Sequence, residues 1–168
     1  MGLSEGMTMR GKAKDHWAVY YASILGVAYV FFGAVELFLG ARGLLSAEGS
    51  ASFWGAPADV LGGFASLVIG ASYLSSLEML RGKYESMGFI LVGAILSSVF
   101  GILYLLIVLA DGIEASLSAL SGGGWTWDWL TTGSAGTGVL RPEIWLFLAS
   151  LPLALFVLKK VRGRTFTP

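Results

Sequence analysis

The chain has 168 residues, 55% hydrophobic and 13% charged, with a mean hydropathy of +0.74, which excludes an ordinary soluble globule. Its 11 basic and 11 acidic residues cancel, so no excess charge draws it to nucleic acid. Cysteine is absent and His16 is the single histidine, which excludes disulfides, thiolate chemistry, iron–sulfur ligation and a His-rich metal or bis-histidine haem site within the chain. No cofactor and no bound metal are expected.

Residues 1–16 are polar, and Arg10, Lys12 and Lys14 precede the first apolar run. Trp17, Tyr20 and Tyr21 follow, the aromatic pattern of a membrane interface. The run 18–39 is longer than the core of a signal peptide and is expected to be a retained transmembrane helix. Gly26, Gly33 and Gly40 recur every seven residues on it and mark a close-packing seam. Glu36 falls on the same general face, ~27 Å along the helix from Ala18. A carboxylate inside a span is a candidate polar, proton or ligand site. At that depth the alternatives are contact with the outer headgroups or pairing with Arg42.

The segment 40–57 reads as a loop, with Trp54 as an outer interfacial anchor. Two further spans, 58–80 and 87–110, are joined by the bridge 81–86, which is too short for anything but a turn. Gly62, Ser66 and Gly70 form a small-residue ridge on the first of these, and Gly93, Ser97 and Gly101 one on the second. The ridges lie at matching depths from the bridge and are expected to meet in a close antiparallel hairpin. No nucleophile–base set stands near these hydroxyls, so catalysis is not expected.

The connection 111–141 begins with a short amphipathic stretch, 111–120, expected to lie along the interface until Gly122–Gly124 break it. Trp125, Trp127 and Trp129 project to one side if the segment is extended. They are expected to lie on the outer leaflet or pack under the loop, the alternative being a docking site for a partner protein, quinone head or sugar. Pro142 suits the first turn of the last helix, Glu143 suits its positive end, and the span 144–161 should kink at Pro152.

Nine of the basic residues, Arg10, Lys12, Lys14, Arg81, Lys83, Lys159, Lys160, Arg162 and Arg164, fall on one side of a four-span arrangement, and only Arg42 and Arg141 on the other. The positive-inside rule then places both termini in the cytoplasm. The expected architecture is a single all-α domain over residues 1–168, an integral membrane four-helix bundle in the cell membrane. A short duplication is also visible: Phe32-Gly33 matches Phe100-Gly101, and Phe64–Leu67 resembles Leu148–Leu151.

The pattern Gly26-x-x-Tyr29-x-x-x-Gly33-x-x-Glu36, with Gly55-Ala-Pro57, then Asp59-x-x-Gly62-Gly63 and Gly70, resembles the DoxX-like family of small membrane proteins over the first two spans. The resemblance implies a four-helix bundle, some members being membrane subunits of quinone-linked oxidoreductases. The chain departs from that family at Glu36, where a lysine is usual, and at Asp59, where a glutamate is.

Two functions are carried forward. One is a non-catalytic accessory or scaffold subunit of a larger membrane assembly, such as an energy-transducing complex, surrounded by lipid and by other integral subunits. It draws on the absence of redox ligands and on a span-one seam left free for a neighbour. The other is a small transporter or ligand-binding membrane protein using Glu36.

Overall fold

A computed structural model describes residues 3–45, 57–81, 86–134 and 136–164. Among these, four helices are long and apolar enough to cross a membrane, and no β-strand forms. They are α1 (Leu3–Leu45), α2 (Val60–Ser75), α3 (Met87–Leu120) and α4 (Pro142–Arg164). They run alternately up and down, so the start of α1 and the end of α4 share one end of the bundle. The opposite end is called distal here.

Close approach explains which helices pair. The most extensive contact joins α1 to α2, and the next joins α3 to α4. A Cβ built on Gly33 would stand 2.7 Å from the Gly63 carbonyl oxygen, and one on Gly70 would stand 2.8 Å from that of Gly26. Gly40 similarly meets the Val60 backbone nitrogen at 2.9 Å. Two glycine rows with a seven-residue repeat thus interlock antiparallel, and the backbones gain dispersion contact that larger residues would prevent.

This corrects the expected hairpin. The ridges on α2 and α3 stand at equal depth but do not face each other. Gly70 turns to α1, Gly101 receives the Phe147 ring of α4, and Gly93 is covered by Tyr73. Ser97 shares hydrogen bonds with Tyr29 on α1 (2.6 Å) and Ser150 on α4 (3.0 Å), and Ser66 is buried against α1 beside Gly33. Equal depth says nothing about rotation around each axis, and the bulk of Tyr73 holds α2 and α3 apart. The seam on α1 is consumed inside the bundle.

The helix α3 also differs from expectation, continuing unbroken from Met87 to Leu120, where a separate interfacial helix was expected after Ala110. Nothing at Asp111-Gly112 stops it. Asp111 accepts the Ser134 amide at 2.8 Å, and Gly112 is buried beneath the Trp129 ring. It ends at Ser121 in a Schellman motif: Gly122 takes φ of +94°, its N–H reaches the Ala119 carbonyl, and the Gly123 N–H reaches that of Ser118. The helix α1 likewise runs past the expected boundary to Leu45.

The tryptophans are not strung on an extended strand. Asp128–Leu130 is a 3-10 turn, which brings Trp127 and Trp129 into a stack at 6.4 Å and leaves Trp125 edge-on to Trp127 at 5.4 Å. Trp54 and Gly55 lie outside the described residues, as does most of the bridge between α2 and α3.

The core has two parts. Toward the termini, Ala18, Ala22, Leu25, Tyr29, Ile69, Tyr73, Ile90, Leu153 and Val157 pack together; toward the distal end, Tyr104, Val108 and Ile144 do. Exposed apolar side chains such as Ile24, Phe31, Leu61 and Ile102 cover the outside of the bundle, as a lipid-facing surface requires.

Candidate functional site

Four charged side chains converge at the distal end, and none of them is adjacent to another in space by helical periodicity alone. Asp59 is the N-cap of α2: its Oδ1 accepts the Gly62 N–H at 2.9 Å. Its Oδ2 accepts both the Tyr104 hydroxyl of α3, at 3.1 Å, and Nη2 of Arg141. The Arg141 guanidinium lies 3.6 Å from the centre of the Tyr104 ring and gives its Nε–H to Glu143 Oε2 at 3.1 Å. One arginine therefore ties α2, α3 and α4 together through two ion pairs and a cation–π contact.

Local sequence sets this up. Gly138 adopts φ of +57° in a 3-10 turn over Gly138–Leu140, and Arg141, preceding a proline, is held extended at φ −59°, ψ 127°. That sends its side chain back over the bundle rather than out along α4. Gly62 leaves the space it occupies: a Cβ there would stand 2.6 Å from Asp59 Oδ2 and from the Tyr104 hydroxyl, and 2.7 Å from Arg141 Nη2.

Glu36 completes the group from α1. It is 0% exposed, so it neither reaches headgroups nor pairs with Arg42, which is exposed at the end of α1. Its carboxyl instead interacts electrostatically with Glu143, Arg141 and Asp59. Neither Glu36 oxygen has a hydrogen-bond partner among the described residues, nor does Glu143 Oε1. Buried polar atoms are almost always satisfied, so three orphaned acceptors in one place single out this cluster as the candidate site.

Below the carboxyls, hydroxyls continue toward the middle of the bundle. Tyr29 lies two turns from Glu36 on α1 and Ser150 two turns from Glu143 on α4, and Ser97 bridges the two. Above them, Asp59 borders an open groove of 380 Å³ lined by Gly40, Gly43, Leu44, Val60 and Leu61.

Outside the spans, two ionisations are set by this network. Burial opposes the Asp59 carboxylate, but the Gly62 N–H, Arg141 and the Tyr104 hydroxyl together outweigh it and hold Asp59 below the usual carboxylate range. Burial likewise opposes the Arg141 charge, and Glu143, Tyr104 and Asp59 outweigh it, raising Arg141 above its ordinary value. A depressed folded pKa contributes stability that is present above the unfolded value, near ~3.9, and is lost as pH falls through the folded one. The unfolding midpoint is therefore expected to hold steady above about pH 5 and to fall below about pH 4. Asp59→Asn should flatten that acid limb in a thermal-melt series, and an unchanged limb would place its origin elsewhere.

Sequence reasoning singled out Glu36 as a candidate site but not Asp59, Glu143 or Arg141: Glu143 suits the start of the last helix, and Arg141 falls in the connection before it. All three are buried or half-buried partners of one network. The available signal was depth: each stands at the distal end of α2 or α4, level with Glu36. Among the expected contact residues, Trp125 and Trp127 are exposed at 43% and 65%, while Trp129 packs on α3.

Comparison with known proteins adds one match. The family described as the MJ0565 integral membrane domain covers residues 12–160. No curated protein and no solved structure matches the chain.

Proposed function

From the premise that this chain belongs to the MJ0565 integral membrane domain family, we propose that this multi-pass membrane protein binds a small cation, the proton included, at Glu36 and carries it through the distal part of the bundle. The observation that carries this reading is the Glu36 carboxyl, fully buried and without a hydrogen-bond donor, among two further carboxyls and a single guanidinium. An excess of buried acid attracts positive charge, and the hydroxyls of Tyr29, Ser97 and Ser150 supply neutral oxygens on the inner side. The groove beside Asp59 supports access from the distal surface.

The test is transport in reconstituted vesicles, with an internal pH dye for protons and tracer rubidium or methylammonium for other cations. Wild-type protein is expected to move at least one probe faster than empty vesicles, and Glu36→Gln to lower that rate tenfold or more. Equal rates for variant and wild type would overturn the reading.

The accessory-subunit reading keeps one observation in its favour: the exposed Trp125 and Trp127, aromatic surface of the kind that anchors partners. It no longer draws on a free seam, because Gly26, Gly33 and Gly40 are used against α2. The DoxX-like, quinone-linked version of it rests on the resemblance over the first two spans, of whose residues Gly33, Glu36, Asp59, Gly62 and Gly63 lie toward the distal end. Native mass in gentle detergent separates the readings. A stoichiometric second chain supports the subunit, and a lone chain whose cation transport depends on Glu36 supports the first proposal.

A further inference from the structure

The three orphaned acceptors belong to two residues, Glu36 (0% exposed) and Glu143 (2% exposed), whose carboxyls face each other at the α1–α4 contact. The other charged groups around them are Asp59 at the start of α2 and Arg141 before α4. From α3 comes only the Tyr104 hydroxyl, whose hydrogen is committed to Asp59. Arg141 serves Asp59 through Nη2 and Glu143 Oε2 through Nε. Among the described residues no hydrogen-bond donor reaches either Glu36 oxygen or Glu143 Oε1.

Two ionised carboxylates in contact would repel each other, and the oxygens between them would be desolvated and without a donor. A single proton eases all three, because it neutralises one carboxyl, ends the charge repulsion and lets the resulting O–H donate to the opposing carboxylate oxygen. Charge counting agrees. With three carboxyls and one guanidinium the fully ionised cluster carries two negative charges, and one proton halves that. A metal ion fits less well: among the described residues no group of three or more acidic or histidine side chains is arranged to hold one.

We propose that Glu36 and Glu143 hold one proton between them, so that the ligand of this site is the proton itself. The proposal rests on the cation-binding reading above and names its occupant. The proton comes from water at the distal surface past Asp59, and forms an O–H bond on one glutamate while that O–H is shared with the other. On release it passes back to water or on to the hydroxyl string of Tyr29, Ser97 and Ser150, and the pair regains its second negative charge.

The experiment is infrared spectroscopy of the full chain in lipid nanodiscs at neutral pH, reading the C=O stretch of neutral carboxylic acids in a water-free environment. One such acid per chain is expected in the wild type. It should vanish in both Glu36→Gln and Glu143→Gln, because in each variant the amide N–H replaces the shared proton as donor and the cluster keeps the same net charge. A wild-type spectrum without that band overturns the proposal and needs no variant to fold. So does a band that survives Glu143→Gln, which would assign the proton to Glu36 alone. The two readings fail separately. Vesicle transport that depends on Glu36 without a neutral-acid band removes only the shared proton. A band that behaves as expected beside transport unaffected by Glu36→Gln leaves a static acid pair and removes only the transport reading.

Discussion

Arg141→Met is expected to destabilise the bundle by about 3–5 kcal/mol, the typical cost of removing one partner from a buried ion pair. Methionine fills much of the volume and keeps apolar contact with the Tyr104 ring, so the loss comes chiefly from the charges left behind. Asp59 would lose its strongest partner, and Glu143, 2% exposed, would lose the Arg141 Nε–H that its Oε2 accepts. Unfolding in detergent, followed by circular dichroism, measures the effect. Arg141→Lys restores the charge but not the fork that serves two carboxylates at once, and should fall between wild type and methionine. Adding Asp59→Asn to Arg141→Met should recover part of the loss, since it removes one of the stranded charges. A double variant whose cost is the sum of the two singles would show that the residues are not coupled as the geometry has them.

Gly63→Ala is the second large effect, expected to cost about 1–3 kcal/mol although it adds a single methyl. The added Cβ would stand 2.6 Å from the Leu37 backbone nitrogen and 2.8 Å from the Gly33 carbonyl oxygen. Neither atom can swing aside as a side-chain tip could, so α1 and α2 must separate along the seam. The same methyl would lie 3.1 Å from the Glu36 Cβ, which couples the seam to the site. Gly63→Ala should therefore lower cation transport as well as the melting temperature. The controls are Gly43→Ala and Gly88→Ala, where a Cβ meets nothing within 4 Å. Both sit in or near helices that gain from alanine, so they should be neutral or stabilising. If Gly63→Ala melted like these controls, the α1–α2 seam would not be the tight contact described.

How much of this was legible beforehand differs between elements. The four spans are written in local hydropathy and length, the start of α4 in Pro142-Glu143, and the end of α3 in Gly122–Gly124, whose φ freedom the Schellman turn needs. The glycine row on α1 was visible as a seven-residue repeat, and Glu36 as a charge where charges are costly. Gly33 and Gly101 both lie in close helix contacts, one against α2 and the other against Phe147 of α4.

What the sequence determined by itself is what each residue's neighbours a few places away can decide: that the chain is all-α, that it crosses the bilayer four times, and which helix faces are small enough for close approach. Tertiary structure alone decided which of those faces meet. Rotation about a helix axis leaves no mark on hydropathy when every face is apolar, and so α2 could close on α1 rather than on α3. It alone also assembled Glu36, Asp59, Arg141 and Glu143, of which Asp59 and Arg141 are 82 positions apart. A buried carboxyl looks the same in sequence whether it ends beside lipid headgroups or beside a second carboxyl, and only the packing of four helices sets the distance that makes the difference.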